Sequence, residues 1–210
     1  MTILALEFSS ERRSVALARD GQILSEAEDH SGGRGTKAFS LIEKVLADAG
    51  VARQTVEAVA VGLGPGSYTG IRAAIAIAQG WQLATGAKLL GVSSAEAMAA
   101  QAQAENIFGP VNVLIDAQRG EFYRAAWELS TDERREVAPL KIISGPELAS
   151  IKVAGGLCIG PEQERAVFPA ASTIARLAAG RTDFVEASGL VPIYLRETTF
   201  VKAAPARTGF

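Results

Sequence analysis

Two acids and one glycine-rich turn are the residues best placed to do chemistry. Glu7 closes the apolar run ILALE near the N-terminus, and Asp116 closes VLID in the second half. Each stands where a strand should end and a turn begin, so a pair of lobes could present the two carboxylates across a shared cleft. Between them, residues 62–72 read GLGPGSYTGIR. Gly64 and Gly66 permit close backbone approach, Ser67 or Thr69 can cap the helix that follows, and amides at a helix start attract phosphate or carboxylate. The turn has no Walker lysine, and its GxGxxxG spacing is not the dinucleotide fingerprint. It therefore reads either as an anion-binding loop or as a structural turn that lets a small-residue helix pack closely. With Mg²⁺ bridging, Glu7, Asp116 and the turn would form a small phosphotransferase; without that chemistry they would form a nucleotide-binding module.

Other chemistries find fewer supports. The chain has one histidine, His30, and one cysteine, Cys158, which excludes a multi-histidine metal site and an intrachain disulfide. His30 is expected in a solvated loop and Cys158 in a short buried strand. A hydrolase would have to combine Ser67 or Ser94 with His30 and Asp116, and no GxSxG elbow is present. Formal charge is −2 with a pI near 5.6, and no segment is dense in Lys and Arg, so contact with RNA is expected to be indirect.

Length and composition bound the architecture. With 48% apolar residues, 210 residues can bury one good core or two small lobes, which excludes disorder as the main state. The longest apolar stretch, 73–90, is interrupted by Gln79, Gln82, Gly86 and Lys88 and is too broken to span a membrane. Met1 leads directly into a strand pattern without the features of a signal peptide, from which a cytoplasmic location is expected.

The elements that would position Glu7, Asp116 and the turn follow from periodicity. ILALEFSS and RSVALARDGQILSEAED predict three strands, the last two joined by Asp20-Gly21, a tight-hairpin pair. Residues 36–49 predict an amphipathic helix with Ala38, Leu41, Ile42, Val45, Leu46 and Ala49 on one face and Gly50 at its stop. A buried strand over 56–64, a helix over 70–85, a strand over 88–93 and a helix over 94–104 then alternate as parallel crossover units do. After Gly109-Pro110 the pattern restarts: a strand to Asp116, a turn with Gly120, and a strand to Ser130. This degenerate repeat, with a period near 110 residues, predicts an α/β fold of two similar lobes, 1–105 and 106–210, facing one another across a cleft. Beyond it the reading is a charged connection over 131–140, a short helix near 144–150, a strand over 155–160, a helix ending near Gly180, a final strand over 192–197 and a mobile tail.

The helix over 70–85 carries a single charge, Arg72. A helix apolar nearly all round needs cover on both sides, from its own sheet and from something else. Ala73, Ala74, Ala76, Ala78 and Gly80 would allow another backbone to come close, with Ile71, Ile75, Ile77 and Trp81 filling the gaps. On the outward faces of this helix and of 36–49, Leu41, Val45, Ile71, Ile75 and Ala78 are the candidate partner interface, and such a patch could also form a homodimer.

ILALEFSSERRSVAL, GLGPGSYTGIR, AIAQGWQLATG, GVSSAEAMA, IDAQRGEFY and PIYLR resemble, in order and distance, the signature segments of the TsaB (YeaZ) family across nearly the whole chain. The resemblance implies an actin-like (ASKHA, ribonuclease H-like) two-lobed fold with mixed sheets flanked by helices. It also implies a non-catalytic scaffold or activator that binds a TsaD-type catalytic paralogue, with a TsaE-type ATPase, for threonylcarbamoyl transfer to the adenosine next to the tRNA anticodon. Glu7, Gly64, Gly66, Ser67, Thr69 and Asp116 would then be a vestigial nucleotide or phosphate cleft, with no metal, no tightly bound cofactor and at most weak ATP or ADP binding. Two departures stand out. Glu7 replaces the family's usual aspartate, and GGRGTKAF, with Gly35, lacks the early histidine of many relatives. The paired histidines that hold the catalytic paralogue's metal have no counterpart here.

Overall fold

The computed structural model describes residues 1–30 and 37–196. The first sheet opens with three antiparallel strands: β1 (Thr2–Glu7), β2 (Arg13–Arg19) and β3 (Gln22–Asp29). Asp20 and Gly21 both take positive φ, 50° and 81°, as a two-residue hairpin of this kind requires. Helix α1 (Ala38–Asp48) then returns the chain to β4 (Ala58–Gly62), parallel to β1, and α2 (Tyr68–Thr85) carries it to β5 (Lys88–Val92), parallel to β4. The strand order is β3-β2-β1-β4-β5.

Helix α3 (Ser94–Ala104) leads into a second copy of the same plan. Strands β6 (Gly109–Asp116), β7 (Glu121–Leu129) and β8 (Arg134–Ser144) form an antiparallel meander. Helix α4 (Gly145–Val153) then returns the chain to β9 (Leu157–Ile159), parallel to β6, giving the order β8-β7-β6-β9. A meander followed by a helical crossover back beside the first strand is thus built twice, so the fold is two-lobed, α/β and actin-like. Ser144 and Glu147 start α4 with a capping box, each side chain meeting the other residue's backbone N–H.

Every residue of β1 is buried because both faces of the first sheet are covered. Leu4 and Leu6 point into a core shared with α1 and α2, whereas Ile3 and Ala5 point into one closed by α5 (Ala171–Ala178). The lobes exchange their covering helices: α3 packs on the second sheet, while α5, which follows β9, lies on the first. Thr173 Oγ1 and Gln101 Oε1 join the two helices at 2.6 Å. A boundary at 105/106 therefore divides the sheets but not the layers that cover them.

Two expectations are corrected. The charged stretch 131–140 is not a connection; most of it belongs to β8, the outer strand of the second sheet. An edge strand with one face in water can carry RREV and even Pro139, which sits where the β7–β8 register shifts and no ladder N–H is required. Residues 192–196 form no strand. Cys158 is buried on β9 and His30 is exposed, pairing with Glu28, as expected. Gly35 and the tail 202–210 lie outside the described residues.

Candidate functional site

The cleft between the lobes has a volume of about 400 Å³, and Gly66, Ser67 and Asp116 line it. Glu7 does not. Its side chain is fully buried behind the cleft, where Oε1 accepts from the Ser9 N–H at 2.6 Å and Oε2 accepts from the Ser94 hydroxyl at 3.1 Å. Burial pushes this carboxyl above its ordinary range, and the hydrogen bonds from Ser9 and Ser94 offset part of that rise. The longer side chain fits because Gly62 has none: a Cβ there would sit 2.0 Å from Glu7 Oε2. The two acids therefore do not face one another across the cleft. Asp116 is engaged by its own hairpin, Oδ1 accepting from the Gln118 N–H at 2.8 Å and Oδ2 from Gln118 Nε2 at 2.6 Å.

The glycine turn is shaped by packing. Gly66 has φ 148°, and a Cβ on it would lie 2.2 Å from the Ser9 carbonyl oxygen; one on Gly70 would lie 2.0 Å from the Phe8 carbonyl oxygen. These contacts press the start of α2 onto the chain leaving β1. The Ser67 N–H donates to the Ser9 carbonyl at 2.7 Å, and the Ser67 hydroxyl caps α2 by accepting from the Gly70 N–H at 3.3 Å. Gly64 takes φ 85° and its carbonyl accepts from the Ser94 N–H at 2.8 Å, tying the turn to α3. Thr69 is exposed on the first turn of α2. Of the two sequence readings, the structural turn accounts for these contacts.

The cleft's charge also opposes phosphate. Glu11, Asp116 and Glu162 line it together with Ser9, Ser10, Tyr68 and Tyr123, and no Lys or Arg is among the described residues of its wall. The parts of a hydrolase are not brought together: Ser67 caps α2, Ser94 is bonded to the buried Glu7, and His30 pairs with Glu28 at the end of β3.

A second concavity, about 580 Å³, lies between α1 and α2. It is lined by Phe39, Ile42 and Glu43 of α1 and by Ala76, Ile77, Gly80, Trp81 and Ala84 of α2. Phe39 is 68% exposed, and Leu83, farther along α2, is 90% exposed. Ala76, Gly80 and Ala84 recur every four residues along one exposed ridge, which leaves the α2 backbone open to close approach. A Cβ on Gly80 would meet nothing within 4 Å.

The five residues expected at a partner interface are not on this surface. Leu41, Val45, Ile71, Ile75 and Ala78 are all at most 8% exposed and belong to the core that α1 and α2 build against the first sheet. The strongest apolar stripe of each helix is the one its own sheet covers. The outward face is the weaker stripe, and only the small-residue spacing of Ala76 and Gly80 with Ile77 and Trp81 signalled it.

Fold and site define a class: an actin-like α/β protein with a closed-in buried acid, an acidic cleft and an open apolar groove on two helices of its first lobe. Residues 35–193 match the family described as "TsaD: tRNA N6-adenosine threonylcarbamoyltransferase". The tRNA threonylcarbamoyladenosine biosynthesis protein TsaB of Escherichia coli is 35% identical over 128 residues, covering 61% of this chain and 55% of that protein. An uncharacterised protein of Mycobacterium bovis is 31% identical over 208 residues, 93% of this chain and 92% of that one. The solved structure of YeaZ from Pseudomonas aeruginosa superimposes with a TM-score of 0.75 at 28% identity, covering 92% of this chain and 99% of that chain. The chain belongs to the TsaB (YeaZ) branch of this TsaD-type family. Its match spans little more than half the length of the E. coli relative.

Proposed function

We propose that this protein acts in tRNA threonylcarbamoyladenosine synthesis as a scaffold that docks a TsaD-type catalytic paralogue through the α1–α2 groove and has no turnover of its own. The observation that carries the reading is the groove itself: Phe39, Ile77, Trp81 and the Ala76–Gly80–Ala84 ridge form an apolar surface that the described residues leave open. A paralogue built on the same fold would present an equivalent helix pair, and two helices from each molecule would close a bundle. When the paralogue is missing the same groove supports a homodimer, so the two assemblies compete. The acidic cleft and the occupied groups of Glu7 and Asp116 support weak ATP or ADP binding at most, and the TsaE-type ATPase and tRNA join through the assembled pair.

Gly80→Arg tests the reading without threatening the fold. The added side chain enters open space, and replacing a helical glycine gains about 0.5–1 kcal/mol of helix propensity. Co-purification with the TsaD-type subunit and light scattering should show a one-to-one complex for the wild type and none for Gly80→Arg, at an unchanged or raised Tm. Normal assembly of a folded Gly80→Arg protein would place the interface elsewhere.

A further inference from the structure

Residues 184–196 run back along the first lobe and then cross to the second. The Val185 N–H donates to the Leu89 carbonyl at 2.9 Å, adding a bridge to the free edge of β5. Gln79 Nε2 on α2 donates to the Ala187 carbonyl at 2.8 Å, and Leu190 is buried in the core of the first lobe. Ile193 donates its N–H to the Leu63 carbonyl at 2.9 Å, at the end of β4. The Tyr194 ring then stacks on Tyr68, the first residue of α2, with centroids 5.4 Å apart, and the Arg72 guanidinium lies over the other ring of the pair, 5.2 Å from the Tyr68 centroid. Two residues later the chain reaches the second lobe. Arg196 Nη2 donates to the Ala117 carbonyl at 2.8 Å and to Glu121 Oε2 at 2.6 Å, both on the β6–β7 hairpin that carries Asp116.

We propose that residues 190–196 are an interlobe strap that sets the opening of the cleft, with Ile193 and Tyr194 as its anchor on the first lobe and Arg196 as its latch on the second. Only Leu195 separates the anchor that holds β4 and α2 from the latch that holds the opposing hairpin, so the strap has almost no slack. It crosses beside Tyr68 and Tyr123, which line the cleft. Hinged two-lobed proteins close through a few residues that absorb backbone change. Here the hinge side is also tied, because the N-terminus of α3 is bonded to Gly64 through the Ser94 N–H and to Glu7 through the Ser94 hydroxyl. Releasing the latch therefore frees the lobes to move while their separate cores stay intact.

The experiment measures the distance across the cleft. Spin labels are placed at Glu11→Cys and Glu162→Cys, one on each wall, in a Cys158→Ser background that removes the single native thiol. The parent protein should give one narrow distance distribution. Arg196→Ala should broaden it and speed exchange of the Ile193 amide about tenfold, as loss of a charge-assisted contact at a partly exposed site allows. Tyr194→Ala should do the same from the other end, and Arg196→Lys should restore part of the narrow distribution. If Arg196→Ala fails to fold, Glu121→Gln breaks the same ion pair by removing its negative partner and should broaden the distribution more weakly. An unchanged distribution in Tyr194→Ala and in whichever latch variant folds would overturn the strap, even if the segment itself exchanges faster.

Discussion

Ile75 and Ile77 stand two residues apart on α2, about 200° around the helix axis, and should respond in opposite ways to the same truncation. Ile75 is 6% exposed and packs in the core with Leu41 and Val45, whereas Ile77 lines the groove. Truncating a buried isoleucine to alanine costs about 2–5 kcal/mol, because the lost transfer free energy is joined by that of the cavity left behind. For a chain of this size each kcal/mol lowers Tm by about 2–4 °C. Ile75→Ala should therefore melt about 4–20 °C below the wild type, with its assembly on the TsaD-type subunit unchanged below the transition. Ile77→Ala truncates a side chain that is only partly buried against the same core and that also lines the groove, so its Tm should fall clearly less than that of Ile75→Ala. Its affinity for the partner should fall at least about fivefold, the loss expected when an anchor of more than about 1 kcal/mol is cut from an interface. Thermal melting and urea unfolding report the first quantity and calorimetric titration with the partner the second. Equal losses of stability in both variants, or undiminished affinity in Ile77→Ala, would show that the two helix faces have been assigned wrongly.

Two further variants examine the buried acid behind the cleft and the glycine turn. Glu7→Gln should keep both contacts, Oε1 accepting from Ser9 and the new amide donating to the Ser94 oxygen. The folded carboxyl titrates above its ordinary value of about 4.5, so the wild type loses stability as pH climbs through that value toward the raised one. The neutral variant escapes this loss, and each unit of displacement is worth about 1.4 kcal/mol. Urea unfolding at pH 5 and pH 8 should show Glu7→Gln gaining on the wild type with rising pH; a constant difference would refute a buried, displaced carboxyl. Gly66→Ala should cost about 2 kcal/mol or more, because its Cβ would meet the Ser9 carbonyl at 2.2 Å and its φ is 148°. A thermal melt matching the wild type would show that the glycine turn is not pressed onto β1.

Local pattern determined much of this protein. The Asp20-Gly21 hairpin, the alternation of strands and small-residue helices, and the restart after Gly109-Pro110 were legible because each rests on contacts between residues near in sequence. The family signature was legible for the same reason, since its segments are short and ordered. Strand β8 was not: an edge strand needs apolar residues on one face only, and RREVAP carries its pairing in backbone groups that leave no mark in composition. The direction in which Glu7 points was equally hidden. A carboxylate ending a strand can reach into the cleft or behind it, and the gap left by Gly62, a strand away, decides which. The five residues expected on the outward helix faces lie in the core because periodicity reports how apolar a stripe is, not what covers it. Leu41, Val45, Ile71, Ile75 and Ala78 form the stronger stripe, and the chain's own sheet claims it first. The exchange of α3 and α5 between the lobes and the crossing of residues 190–196 join positions tens of residues apart. Only the folded chain brings those partners together, because nothing in either segment alone specifies the surface it will meet.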